Sequence, residues 1–377
     1  MSKSCDVLIL TARFGSGHRS AAQALQESLQ RENHQLAVEI IDFIDIFLAP
    51  FSGFIYRVDY LSSNTFTGLY NNVYYRKQDQ GGDVLTGKMV SSYVLRRLHK
   101  YVAARSPRII ISTFPLSAYY VSLLKEKCGA EVRAVTCITD MVVQPEWFHP
   151  ATDLYLTAHP RIRRAMIDRG IAEEKVEASG IPIRSDFWGE AAGKETVHKY
   201  GIDDGQFVIL LMGGGNGYLP GNPSLYRWLG TLENSRVLVF TANNRRLYRR
   251  LSTRDLGQNI QVLSFTDEVA QLMKRADLLI SKAGGVTITE ALACSLPMII
   301  YQAELGQELE NRRFLLENNL GLAADSESEL KELIKQLMYD PALYQEIKAS
   351  LAEYSDQVQP ATVGRRILQL IEDGEVV

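Results

Sequence analysis

No stretch of this chain approaches the roughly 18 consecutive apolar residues that cross a bilayer. Its opening segment, MSKSCDVLIL, has no apolar core of signal-peptide length before Arg13. Cysteine is scarce: Cys5, Cys128, Cys137 and Cys294 form no CxxC pair and lie in apolar surroundings. They read as reduced core residues, so a cytoplasmic protein, soluble or peripheral on a membrane, is expected. No dense Lys/Arg stripe stands out, and nucleic acid is not an expected partner. The glycine run Gly213-Gly214-Gly215-Asn216-Gly217 lacks a following GK[ST], which argues against ATP hydrolysis. A first glycine loop, Gly15-Ser16-Gly17-His18, has Ser20 where a dinucleotide fingerprint places its third glycine. No Asp-x-Asp occurs to hold a pyrophosphate through a divalent metal, so neither a metal nor an organic cofactor is expected.

What the chain does contain is ordinary globular composition, 46% hydrophobic and 23% charged over 377 residues, enough for two domains with cores of their own. The net charge of −3 is unevenly shared. Residues 1–183 carry 21 basic and 18 acidic side chains, and the remainder 20 and 26.

The most informative stretch is 281–311. An apolar run, Ala276 to Ile280, reads as a parallel strand that turns through Gly284-Gly285 into a helix carrying Thr287 and Glu290. A second strand, Pro297 to Tyr301, ends in a polar loop with Gln302, Glu304, Gln307, Glu308 and Asn311. Ligands of open α/β sheets sit beyond the strand C-termini. Glycine amides and the roughly half unit charge at a helix N-terminus favour a phosphate there. Amides and carboxylates such as Gln307 and Glu308 suit sugar hydroxyls, which both donate and accept. The stretch reads as a nucleotide-sugar site.

In the first half, the strand Val7–Thr11 leads through the glycine loop to a helix beginning near Ser20. His18 then stands at a helix N-terminus, where the dipole disfavours imidazolium and keeps a neutral base available, or else it is a capping or packing histidine. Asp140 follows the strand Val132–Ile138 and falls on the same sheet edge, either to assist His18 or to cap a turn. Trp147 and His149 follow in a loop suited to an acceptor path. Between Phe43 and Arg76 aromatics are dense, and Phe51, Phe54, Ile55, Val58 and Leu61 keep helical spacing after Pro50. Such helices either close over the core or dock on a bilayer. In the second half, strands are expected at Phe207–Met212, Arg236–Phe240 (ending at Asn244) and Ile260–Leu263. The last of these runs into Phe265-Thr266, a turn able to read a base edge. Helices are expected at 327–338, 341–353 and 361–372.

Taken together, Gly15-Ser16-Gly17-His18, Thr139-Asp140 with Trp147 and His149, Gly180-Ile181-Pro182-Ile183, Gly213-Gly214-Gly215, Lys282-Ala-Gly284-Gly285-Val286-Thr287 with Glu290, and Gly306-Gln307-Glu308 with Asn311 carry a resemblance. Over nearly its whole length the chain resembles the monogalactosyldiacylglycerol synthase and processive diacylglycerol glucosyltransferase family, related to the lipid I N-acetylglucosaminyltransferase. The resemblance implies an α/β fold of GT-B architecture, two Rossmann-like parallel-sheet domains facing a central cleft. Residues 1–183 would be the acceptor domain, with its membrane-facing aromatic segment at 47–77. Residues 184–360 would be the donor domain, and 361–377 a helix crossing back to the first.

It also implies inverting transfer of a hexose from UDP-glucose or UDP-galactose to diacylglycerol at the inner face of the cell membrane, with anionic lipid as a further partner. His18 would be the base and Asp140 its assistant. Gly213, Gly214, Gly215, Asn244, Phe265, Thr266, Lys282, Gly284, Gly285, Val286, Thr287, Glu290, Gln307, Glu308 and Asn311 would bind the donor. Gly17, Trp147, His149, Phe51 and Tyr56 would bind the acceptor. The chain departs from the family pattern at Gln144-Pro145, where a histidine is common, and at Ala283, where proline is usual. Competing readings are another lipid-linked or small-molecule acceptor, a nucleotide-sugar epimerase, and a non-catalytic UDP-sugar sensor.

Overall fold

The structure is a computed structural model describing residues 4–14, 16–49, 52–53, 88–142, 144–188, 193–215, 217–301, 306–358 and 362–372. The chain divides into two compact units, Met1–Arg184 with Leu305–Gln307 and Val358–Val377, and Ser185–Glu304 with Glu308–Gln357. Phe51, Tyr56 and most of the aromatic segment 47–77 lie outside the described residues. Among the described residues no helix is long and apolar enough to cross a membrane.

The first unit is built on β1 (Val7–Thr11), β2 (Val38–Asp42), β3 (Ile109–Ser112), β4 (Arg133–Cys137), β5 (Leu154–Thr157) and β6 (Val176–Ala178). They form one sheet in the order β2-β1-β3-β4-β5-β6, every pair parallel. β1 and β3 are buried along their full length, which is why they read as unbroken apolar runs. The order reverses between β1 and β3, so the strand C-termini there flank the crevice in which doubly wound sheets hold ligands.

The first helix, Gly17–Glu32, buries Ala21, Ala22, Ala24, Leu25 and Leu29. It starts at Gly17 rather than near Ser20, because the Ser16 carbonyl already accepts from Ser20 N at 2.9 Å. The last helix, Val363–Glu372, lays Val363, Ile367 and Ile371 into the same core as Val7, Ile9 and Leu25. Its approach depends on Gly364: a Cβ there would stand 2.7 Å from the Ser28 carbonyl oxygen, while Gly364 N donates to Ser28 Oγ at 3.1 Å.

The second unit contains β7 (Phe207–Met212), β8 (Ser235–Phe240), β9 (Ile260–Leu263), β10 (Leu278–Ser281), β11 (Met298–Tyr301) and β12 (Leu322–Ala324). Their order, β12-β11-β10-β7-β8-β9, is again wholly parallel and reverses between β7 and β10. The glycine run after β7 and the Lys282–Gly285 turn after β10 thus open on the two sides of one switch point. Both sheets are the Rossmann-like halves that the resemblance implies.

Candidate active site

In the first unit three strand ends converge on His18, the second residue of the helix Gly17–Glu32. Thr113, just past β3, donates through Oγ1 to the His18 carbonyl at 3.0 Å and through N to Leu10 O at 3.0 Å. Thr139, two residues past β4, places Oγ1 3.0 Å from His18 Nδ1. The ring lies edge-on to Phe114 at 5.4 Å between centroids and 6.4 Å from Trp147. Desolvation among these groups lowers the imidazole from 6.5 to about 4, outweighing the opposite effect of the Thr113 backbone. His18 is therefore neutral at pH 7. Nδ1 is engaged by Thr139, and the Thr113 backbone also bears on the ring. Such a histidine accepts a proton at Nε2 when Nδ1 carries the hydrogen.

Thr139 Oγ1 is thus a polar atom that meets the ring, from a residue to which the sequence expectation gave no role beside Asp140. Asp140 is half-buried one residue further along the same turn. Trp147 is fully buried and packs with Ile138, Tyr155, Met166 and Val176, so it forms a wall beneath His18 rather than an open lining. Its Nε1 is without a hydrogen-bond partner among the described residues. His149 is half-buried 5.7 Å from the Tyr119 ring, and burial lowers its pKa. Its backbone is clamped by the Tyr155 hydroxyl, which accepts from His149 N at 3.0 Å and donates to His149 O at 2.9 Å. Gly17 is half-buried in the first turn of the helix.

In the second unit the two glycine loops meet at Lys282. A Cβ on Gly214 (φ +66°) would stand 3.2 Å from Lys282 Cε, and the ammonium is 5.9 Å from the Tyr218 ring centroid. Lys282 Nζ lies 2.5 Å from Oε1 of Glu308, a carboxylate almost wholly buried on the helix Gly306–Glu317. Two residues expected to contact the donor separately are therefore engaged with one another. Asn311, on the same helix and fully buried, donates through Nδ2 to Ala283 O at 3.0 Å and fixes the turn after β10. Gln307 is half-buried at the start of that helix.

Asn244 also acts on the scaffold. Its Oδ1 accepts from Leu247 N, capping the helix Arg245–Ser252, and its Nδ2 donates to Gly217 O at 3.1 Å. Gly213 is required by packing, since a Cβ would meet the Tyr218 backbone at 2.4 Å. Gly284 is different: a Cβ there would find only Thr287 Oγ1, at 3.8 Å. It opens the helix Gly285–Ala293, so unused backbone N–H groups adjoin free space, the arrangement that receives a phosphate. Val286 is buried in this helix, whereas Thr287 and Glu290 are half-buried. Gly215 is half-buried in the first loop. At the end of β9, Thr266 Oγ1 bonds the Tyr200 hydroxyl at 3.1 Å and accepts from Glu268 N, while the Phe265 ring is 66% exposed.

Two family models match: the monogalactosyldiacylglycerol (MGDG) synthase model over residues 18–183, and the glycosyltransferase family 28 C-terminal domain over residues 209–361. The chain thus resembles the MGDG synthases in its first half and the family 28 glycosyltransferases in its second. A processive diacylglycerol beta-glucosyltransferase of Bacillus cereus is 27% identical over 356 residues, 93% of this chain and 90% of that protein. The enzyme of the same description from Bacillus cytotoxicus is 26% identical over 355 residues, with the same coverage.

Among solved structures, Acinetobacter baumannii MurG superposes with a TM-score of 0.62 at 16% identity, over 97% of this chain and 99% of that one. Anabaena Alr3699/HepE, in complex with UDP and glucose, gives 0.55 at 14% over 98% and 99%. Both establish the GT-B fold. A UDP-N-acetylglucosamine 2-epimerase gives 0.59 at 13% over 100% and 97%. The fold is thus shared with epimerases, and it is the sequence relatives that separate the two classes.

Proposed function

We propose that the chain transfers a hexose from UDP-glucose or UDP-galactose to the hydroxyl of diacylglycerol, with inversion, at the inner face of the cell membrane. The observation that carries this reading is His18, neutral and held at Nδ1 by Thr139, in a chain whose relatives are named diacylglycerol glucosyltransferases. Nε2 takes the acceptor proton as the hydroxyl oxygen attacks the anomeric carbon, and the sugar–phosphate bond breaks on the opposite face. General-base assistance of this kind contributes about 10²–10⁴ in rate. UDP leaves with its charge met by the Gly285 amide, the helix dipole and the Lys282 ammonium, so the reaction needs no divalent metal. Proton removal belongs to the first unit and stabilisation of the leaving group to the second.

The test is incubation with radiolabelled UDP-glucose or UDP-galactose and diacylglycerol dispersed with anionic lipid. Label should enter the lipid extract, persist with chelator and disappear with His18→Ala. Measurable UDP binding without labelled lipid from either donor would refute the diacylglycerol assignment and direct attention to acceptors that fit beside the buried Gln144.

A further inference from the structure

The helix Arg245–Ser252 carries four arginines, Arg245, Arg246, Arg249 and Arg250, within six residues. Leu247 and Leu251 are its buried stripe. At 100° per residue, Arg245 and Arg249 point away from that stripe, with Arg246 and Tyr248 on its flanks. All four arginines are exposed, and Tyr248 is 37% exposed among them.

None of the four has an ion-pair or side-chain hydrogen-bond partner among the described residues. This happens where carboxylates are plentiful, since residues 185–357 hold 23 acidic side chains against 17 basic ones. Other cations of the same unit, Lys199, Lys282, Arg312 and Lys331 among them, are paired with carboxylates. The helix also breaks its own local rules. Arg245 and Arg246 put cations in the first turn, against the dipole. Arg245/Arg249 and Arg246/Arg250 set like charges at i,i+4. Arg249 and Arg250 suit the last turn, but the first-turn and like-charge conflicts mark a surface that is completed by something outside the fold.

We propose that this helix is a docking surface for the anionic headgroups of a lipid bilayer. The charge calls for a polyanion. The choice of a bilayer rests on the lipid-acceptor reading and on Tyr248, whose amphipathic ring suits a headgroup interface.

The test is sedimentation of the full-length protein with phosphatidylcholine vesicles made with or without phosphatidylglycerol. Each arginine near an anionic surface is worth about five-fold in partitioning. Arg246→Gln/Arg249→Gln should therefore weaken binding to the phosphatidylglycerol vesicles about 25-fold, leaving UDP affinity and binding to pure phosphatidylcholine unchanged. A control that removes two exposed cations elsewhere, Arg31→Gln/Lys335→Gln, should change little. An unchanged Arg246/Arg249 variant, or an equal loss in the control, would overturn the proposal. So would tighter binding of wild type to a single-stranded oligonucleotide than to the vesicles, lost in the same variant, which would assign the arginines to nucleic acid. Sedimentation requires no turnover, so failure of the transferase reading would appear separately, as absence of labelled lipid from wild type.

Discussion

Thr139 Oγ1 lies 3.0 Å from Nδ1 of His18, a residue 121 positions earlier in the chain. When Nδ1–H is donated to that hydroxyl, the imidazole lone pair sits on Nε2, where an acceptor hydroxyl can reach it. Thr139 is a positioning residue in this arrangement. Thr139→Val keeps the shape of a buried side chain and removes one neutral hydrogen bond, worth about 1 kcal/mol. The expected loss is about five- to ten-fold in kcat/KM, with UDP binding unaffected. Thr139→Ser should recover most of the activity. Steady-state kinetics on the two variants check this, and equal loss in both would show that the methyl, not the hydroxyl, matters.

The depressed basicity of His18 sets a pH dependence. Folded, it protonates near 4; unfolded, near the ordinary 6.5. Between those values the unfolded chain holds the extra proton, so this residue makes stability fall as pH drops from 6.5 toward 4, and it has no effect above that window. The acid limb of kcat/KM should bend near pH 4, with a flat profile through neutrality. His18→Ala should lose about 10²–10⁴ in kcat yet unfold less readily than wild type under mild acid, relative to their stabilities at pH 7. A pH series of thermal melts beside a pH–rate profile tests both halves.

Much of the fold was legible because parallel, doubly buried strands read as unbroken apolar runs. Val7–Thr11 and Phe207–Met212 have the bounds that the sequence indicates. β12 had no such signal: Leu322-Ala323-Ala324 is three residues long, contains no β-branched side chain and owes its place to β11. The glycine loops were legible as loops, but their division of labour was not. Only coordinates separate Gly284, which faces open space, from Gly213, which makes room for a backbone. Likewise Lys282 and Glu308 were each found by residue type, whereas their mutual pairing across 26 positions depends on how the helix Gly306–Glu317 packs.

That pairing predicts a split between stability and function. Lys282→Ala leaves Glu308 buried without its counter-ion, which should cost about 1–3 kcal/mol of stability and weaken UDP binding as well. Lys282→Met/Glu308→Gln removes both charges and should regain most of the thermal stability while remaining poor in UDP affinity. Calorimetric melts and UDP titration on both variants distinguish the roles. Recovery of UDP binding in the double variant would assign the pair to the scaffold alone.

The glycines give the sharpest contrast. Gly217 has φ +62°, and a Cβ there would come within 2.0 Å of the Thr241 carbonyl oxygen, so neither conformation nor space admits a side chain. Gly217→Ala should cost several kcal/mol, about 3 or more, and be recovered mainly unfolded. Gly284 has φ −77° and an open Cβ position, so Gly284→Ala should melt within a few degrees of wild type. The added methyl projects into the space beside the free N–H groups of the helix Gly285–Ala293, where a phosphate would have to sit. UDP affinity should then fall at least ten-fold while uridine, which lacks the phosphates, is less affected. Titrations of Gly284→Ala with the two ligands, set against its melting curve, decide whether that helix N-terminus holds the pyrophosphate. Full UDP affinity in a normally folded Gly284→Ala protein would move the phosphates to the Gly213–Gly215 loop.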